Sequence, residues 1–250
     1  MPVTEEDKRR FDKICNDIIV TEKERNRIGE LSEKTVHAVL KEYYAPGKEN
    51  QEVRIGRFFA DICIEEEIIE IQTAHFDKLR EKLNAFLQDY VVTVVYPIPH
   101  EKYMIWVDPE TGELSRKRKS PKTGTPYVVF RELYKIKPFL THPNLRIRLV
   151  LFDTEEYRML NGWSHDKKKG STRFDRLPTG LFDEIYLERK EDYLQFVPYE
   201  LEHFTSAQFA KCTKMTRNSA ATVLNILYDL GVVERVGKEG NAYLYEAKEL

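Results

Sequence analysis

Between Arg57 and Thr73 the chain alternates with a period of two on both sides of a short acidic break, and that pattern demands two adjacent strands. The segment reads Arg57-Phe-Phe-Ala-Asp61-Ile-Cys-Ile-Glu-Glu-Glu-Ile68-Ile-Glu70-Ile-Gln72-Thr. Strand geometry sends Phe59, Asp61 and Cys63 to one face and Ile62 and Ile64 to the other. In the second run Glu70 and Gln72 share a face, with Ile69 and Ile71 opposite. A turn centred on Glu65-Glu66 makes a hairpin in which Asp61 lies across from Glu70 and Phe59 across from Gln72. Like charges opposed on a sheet destabilise it unless a cation sits between them. Hard divalent cations such as Mg²⁺ take this kind of oxygen cluster. The bland alternative is a pair of ordinary carboxylates at a sheet edge.

Around this hairpin the periodicity predicts an α/β protein. Residues 5–20 form a first helix with Phe11, Ile14, Ile18 and Ile19 as its apolar stripe, and a second helix runs from Glu24 to Tyr44, stopped by Pro46-Gly47. Strands are expected at Gln51–Ile55, Phe58–Ile64 and Ile68–Thr73, followed by a helix over Phe76–Asp89, where His75 is placed to cap. Tyr90–Pro97 reads as a buried central strand, and Tyr103–Val107 continues in extended form. Asp108–Pro126 reads as loop. Leu145–Asp153 and Asp183–Leu187 complete the strands.

Near Pro198 the pattern changes. Residues 1–197 read as the α/β domain with a helical amino-terminal extension, and 198–250 as a small second domain. Thr205 or Ser206 can cap a helix ending at Cys212, and Thr216 a second one reaching Leu230, where Gly231 stops it. Ala220, Val223, Leu224 and Leu227 face inward. Two short strands follow, Val232–Val236 and Tyr243–Tyr245.

Charge narrows the partners. The 250 residues carry a formal charge of −2, yet residues 115–176 hold 16 Lys and Arg against 6 Asp and Glu. Such a segment fits a polyanion, and the alternative is a solvated loop. Arg116, Lys117, Arg118 and Lys119, with Lys167, Lys168 and Lys169, are dense enough to clamp a duplex backbone. Trp163 beside the second basic loop can stack on an unpaired base, although a core tryptophan is the commoner case. No apolar run reaches the roughly 20 residues that span a bilayer, and the charged amino terminus lacks a signal-peptide apolar stretch. Three separated cysteines suit a reducing cytoplasmic setting rather than a disulfide framework or a zinc site. Neither a nucleophile elbow nor a P-loop is present.

The amino-terminal order of elements, with Asp61 ending one strand and Glu70-Ile71-Gln72 on the next, resembles the PD-(D/E)XK nuclease superfamily. The likeness covers residues 25–100, and Gln72 stands where that family usually has Lys. It implies a restriction endonuclease-like core with a mixed central sheet. Asp61 and Glu70 would be the ligands of Mg²⁺ (or Mn²⁺), and Gln72 would orient the attacking water without contributing charge. Glu30, in Ile28-Gly-Glu30-Leu, occupies the place of an auxiliary metal-assisting residue, and Lys78, Arg80 and Lys82 lie on the helix that faces the phosphodiester. Family members often act as homodimers, so a homodimer is expected from the resemblance alone.

The carboxy-terminal stretch is similar to winged helix-turn-helix domains. Arg217 and Asn218 would open the recognition helix, with Lys211 and Lys214 in the turn and Arg235 and Lys238 in the wing reaching phosphates. Residues 201–250 balance 6 basic against 6 acidic side chains, which leaves a protein-binding role open. The expected function is a metal-dependent nuclease acting on DNA. The rival is a non-catalytic DNA-binding protein on a degenerate nuclease fold, favoured by Gln72.

Overall fold

A computed structural model of the chain describes residues 3–25, 32–162 and 172–248. The protein is mixed α/β, with a mixed seven-stranded sheet and several helices. In chain order the elements are α1 (Glu5–Arg25), α2 (Ser32–Tyr44), β1 (Gln51–Ile55), β2 (Phe58–Ile64), β3 (Glu67–Ile71), α3 (Arg80–Phe86), β4 (Val91–Val107) and β5 (Arg118–Lys119). They continue with α4 (Phe130–Leu133), β6 (Leu145–Met159), β7 (Thr172–Leu187), β8 (His203–Thr205), α5 (Ser206–Cys212), α6 (Arg217–Asp229), β9 (Val233–Glu239) and β10 (Ala242–Ala247). The larger sheet has the order β1-β2-β3-β4-β6-β7, with β5 paired to β4, and the smaller is β8-β10-β9. Among the described residues no helix is long and apolar enough to cross a membrane.

The chain divides into two compact units. The first comprises Met1–Ile64, Val95–Thr125 and Leu149–Ile185. Its core forms where α1 and α2 lay their apolar stripes on the strands: Phe11 packs edge-on against Tyr43 at 5.4 Å between ring centres and lies 6.4 Å from Phe152. Full burial of each such ring is worth about 1.5–3 kcal/mol. The Tyr44 hydroxyl donates to Glu184, and Tyr43 Oη reaches Glu184 Oε2 at 3.4 Å, so the buried carboxylate of β7 is matched by α2. On β6, buried Glu156 receives Arg158 Nε at 2.6 Å and faces Arg176 Nη2 at 3.6 Å. A charge removed from water needs such partners.

β4 is one strand of 17 residues, joining the two stretches that the sequence reads as extended. Pro97 and Pro99 lack amide protons and read as terminators. Just beyond them Glu101 N donates to the Asp153 carboxylate at 3.0 Å. Beside them Gly124 N donates to His100 O at 2.8 Å, docking the 120–125 loop on the strand. A Cβ at Gly124 would lie 2.1 Å from Pro99 O, so no larger residue fits. The basic stretch expected as loop contains β5, whose Lys119 pairs with Tyr103 and Arg118 with Met104.

The second unit comprises Glu65–Val94, Pro126–Arg148 and Tyr186–Leu250. β3 is covered on both faces, with Ile68, Ile69, Glu70 and Ile71 all buried. The segment expected as one helix from Phe76 to Asp89 is a 3₁₀ turn, Phe76–Leu79, leading into α3. His75 occupies the cap position in a left-handed conformation (φ 60°), but its side chain makes no cap hydrogen bond. The buried Phe76 N–H instead donates to Glu132 Oε2 of α4 at 3.0 Å. Thr205 caps α5 reciprocally with Gln208, and Thr216 Oγ1 accepts from Ser219 N at 3.2 Å to start α6. Ala220, Val223, Leu224 and Leu227 of α6 are buried, as their spacing predicts. α6 ends at Gly231, which takes the left-handed backbone (φ 72°) expected of a helix stop.

Two outcomes follow. Gly124→Ala forces a backbone clash and lowers stability by about 1–3 kcal/mol. Gly112→Ala, at φ 73° but in open space, carries only the left-handed penalty of roughly 1–2 kcal/mol. Urea midpoints rank the two, and equal losses would contradict the tight docking at Pro99. Burial pushes the Cys15 thiol up to about 12, so iodoacetamide at pH 8 should spare it in the native protein and label exposed Cys212.

Candidate active site and nucleic-acid interface

In β2 the predicted alternation is present. Ala60 and Ile62 are buried, whereas Phe59 is 59% exposed and Asp61 and Cys63 are half-buried on the opposite face. β1 pairs antiparallel with β2, Gln51 opposite Ile62 and Val53 opposite Ala60, which leaves Glu52 abreast of Asp61. Glu52 is left-handed (φ 55°), a conformation that costs a non-glycine residue about 1–3 kcal/mol and clusters at functional positions. Lys41 of α2 holds it at 2.8 Å, and that hydrogen bond lowers the Glu52 carboxyl below the ordinary glutamate range. Sequence periodicity gives no hint of Glu52, because its signal is a backbone angle.

Glu70 of β3 is 2% exposed. Lys82 Nζ, from the first turn of α3, reaches Glu70 Oε2 at 2.8 Å and Oε1 at 3.0 Å. The lysine side chain is 26% exposed, so the pair joins a buried anion to a partly hydrated cation. Gln72 follows the end of β3, and its Nε2 donates to Ala74 O, tying the turn between β3 and the 3₁₀ segment. Its amide therefore has a local structural task. Arg80, also on the helix facing this strand, donates to Lys135 O at 2.7 Å and Lys135 pairs with Glu132 at 2.9 Å, so α3 is fastened to α4. Glu30 lies outside the described residues, as do Trp163, Lys167, Lys168 and Lys169.

Carboxylate oxygens are the donors a hard cation takes; Glu52 and Asp61 carry them in the first unit and Glu70 in the second. A metal on Glu70 would share that carboxylate with Lys82. Among the described residues no group of three or more His, Cys, Asp and Glu side chains is assembled for a metal ion.

The basic strip behaves differently from a uniform clamp. Arg116, Lys117, Arg118 and Lys119 are all exposed. Lys117 pairs with Glu155 at 2.6 Å and lies 4.5 Å from the centre of the Tyr103 ring, and Lys119 pairs with Glu101 at 2.5 Å. Lys119 on β5 and Lys117 just before it thus both meet sheet carboxylates. In the second unit Lys211, Lys214, Arg217 and Asn218 are exposed around the start of α6. Arg235 is layered between Tyr228 and Tyr243, at 4.2 and 4.1 Å from their ring centres, and Lys238 lies 5.3 Å from that of Tyr243.

The fold and these side chains define an α/β protein with a buried strand carboxylate clamped by a helix lysine. The chain belongs to the family described as a domain of unknown function (DUF8091), which matches residues 34–188. That span runs from α2 to the residue after β7. The chain is also similar to an uncharacterized protein of Treponema pallidum (strain Nichols), 29% identical over 150 residues that cover 60% of this chain. The alignment spans 57% of that relative's length. No solved structure matches.

Removing the ammonium from Glu70 tests the pairing. Lys82→Met should destabilise the protein by about 1–3 kcal/mol, since hydration of the lysine screens part of the interaction. Combining it with Glu70→Gln should recover part of the loss in a urea double-mutant cycle. Additive losses would show that the two side chains do not interact.

Proposed function

We propose that the protein is a metal-dependent nuclease that hydrolyses phosphodiester bonds in DNA. On this reading residues 1–197 form a restriction endonuclease-like core and 198–250 a winged helix. The observation that carries the reading is the Glu70–Lys82 pair, a buried strand carboxylate with an ammonium at 2.8 Å from the following helix. The usual lysine of the Glu-X-Lys pattern is replaced by Gln72, and Lys82 returns a positive charge to the same carboxylate. Bound Mg²⁺ or Mn²⁺ would polarise the scissile phosphate and lower the pKa of its bound water.

Each side chain then has a defined task. Glu70 and, on the sequence resemblance, Asp61 would be the residues to hold the cation through their carboxylate oxygens. Lys82 Nζ uses two N–H groups on Glu70 Oε1 and Oε2. Its third can donate to a non-bridging phosphate oxygen, where charge develops. Gln72 holds the β3 turn and contributes position rather than charge. Arg217 and Asn218 at the exposed start of α6, with Lys211 and Lys214, supply the phosphate and groove contacts expected of a recognition helix.

A second reading is favoured by one observation: both Glu70 oxygens and the Gln72 amide already have protein partners. That would suit a DNA-binding protein without catalysis.

Cleavage of labelled duplex, single-stranded, branched and abasic DNA with Mg²⁺ or Mn²⁺ separates the two. The nuclease reading expects cleavage of at least one substrate, its loss in Glu70→Ala, and a drop of about 10²–10³-fold in Lys82→Met at a temperature where the variant is folded. Uncut DNA with tight, salt-sensitive binding would establish the second reading. In both cases Arg217→Ala should weaken binding and flatten its dependence on salt by roughly one phosphate contact.

A further inference from the structure

The second unit contains a cavity of about 220 Å³, partly open to solvent, at the carboxy-terminal end of α6. Leu145 of β6, Leu187 of β7 and Leu230 beyond α6 form its apolar wall. All three are buried. The volume is below the roughly 300 Å³ at which drug-sized pockets begin. It therefore suits a ligand of small-metabolite size.

The polar groups at the cavity are mainly donors. Arg189 and Lys190 stand exposed at its mouth, opposed by the single carboxylate of Glu188. Asp192, close by in sequence, is turned away: its Oδ2 accepts the backbone N–H of Glu188 and of Arg189, each at 2.8 Å. His142 Nδ1 accepts Asn144 N–H at 3.2 Å, which leaves Nε2 as the proton-bearing nitrogen of the neutral ring. Tyr193 lines the cavity and is 4% exposed. No side chain of the described residues hydrogen-bonds its hydroxyl, which leaves the O–H available to a ligand. Burial raises the Tyr193 phenol far above the ordinary range, with the Asp192 charge adding to the effect, so it stays an O–H donor.

We propose that this cavity binds a small organic anion. Its apolar body would lie against Leu145, Leu187 and Leu230, and its carboxylate or phosphate would be held by Arg189, Lys190 and the donors of His142 and Tyr193. An anion supplies acceptors for the donors of Arg189, Lys190, His142 and Tyr193. A bare inorganic anion would leave the leucine wall wet. The inference is independent of the nuclease reading and stands or falls separately.

Calorimetric titration of the full chain tests it with phenyl phosphate, benzoate, benzyl alcohol and inorganic phosphate. At least one of the two aromatic anions should bind with a Kd at or below about 1 mM. Benzyl alcohol and inorganic phosphate should bind at least tenfold more weakly, and the tighter aromatic anion identifies the head group. The exposed double change Arg189→Gln/Lys190→Gln should weaken that anion at least tenfold, and Tyr193→Phe should weaken it severalfold. Three results would overturn the proposal: no saturable binding of either aromatic anion, equal binding of inorganic phosphate, or affinity unchanged in the double variant.

Discussion

A carboxylate in the middle of an apolar strand sets the terms for the second unit. Glu70 is flanked along β3 by Ile69 and Ile71 and is 2% exposed. An ionised group in such a place is tolerated when paired and hydrogen-bonded, and is very costly otherwise. Lys82 meets that demand from the first turn of α3, so the register of the helix on the strand is tied to one ion pair. The helix is in turn fixed from its other side, through Arg80 to Lys135 O and through Glu132 to the Phe76 amide. A hydrophobic residue at position 70 would pack there with less demand on its neighbours. The retained charge is the reason to look for chemistry at this place rather than at the more exposed acidic residues.

The first unit handles buried charge in the same way. Glu156 lies beside Arg158 and Arg176, and Glu184 takes the hydroxyls of two tyrosines from α2. Even the exposed basic strip is regulated by the sheet, with Lys117 and Lys119 matched to Glu155 and Glu101. The apparent excess of positive charge in the sequence is therefore locally reduced on β5. Exposed pairs of this kind contribute little to stability, but they direct which cations are presented outward.

What could be read in the sequence follows the range of the interactions concerned. The alternation of β2 and the caps of α5 and α6 depend on neighbours within a few residues, and they were legible to within a residue or two. The pairing of β4 through residues 98–102 was not, because Pro97 and Pro99 normally end a strand. Lys82 could be placed on the right helix by periodicity, while its pairing with Glu70 depends on how α3 meets β3. Lys117 and Lys119 looked alike with Arg116 and Arg118 until pairing across 38 and 18 residues separated them. Glu52 and Tyr193 had no sequence signal at all, since one is marked by a positive φ and the other by its place in a cavity wall.

The account turns on Glu70 being the carboxylate that receives a divalent cation beside Lys82. Calorimetric titration of Mn²⁺ into the wild-type chain, Glu70→Gln and Asp61→Asn addresses this directly, without a nucleic-acid substrate. Saturable binding in the wild type that is lost in Glu70→Gln and weakened in Asp61→Asn is the predicted result. No saturable binding in the wild type, or binding indifferent to both substitutions, would contradict the account and leave Glu70–Lys82 as a structural ion pair.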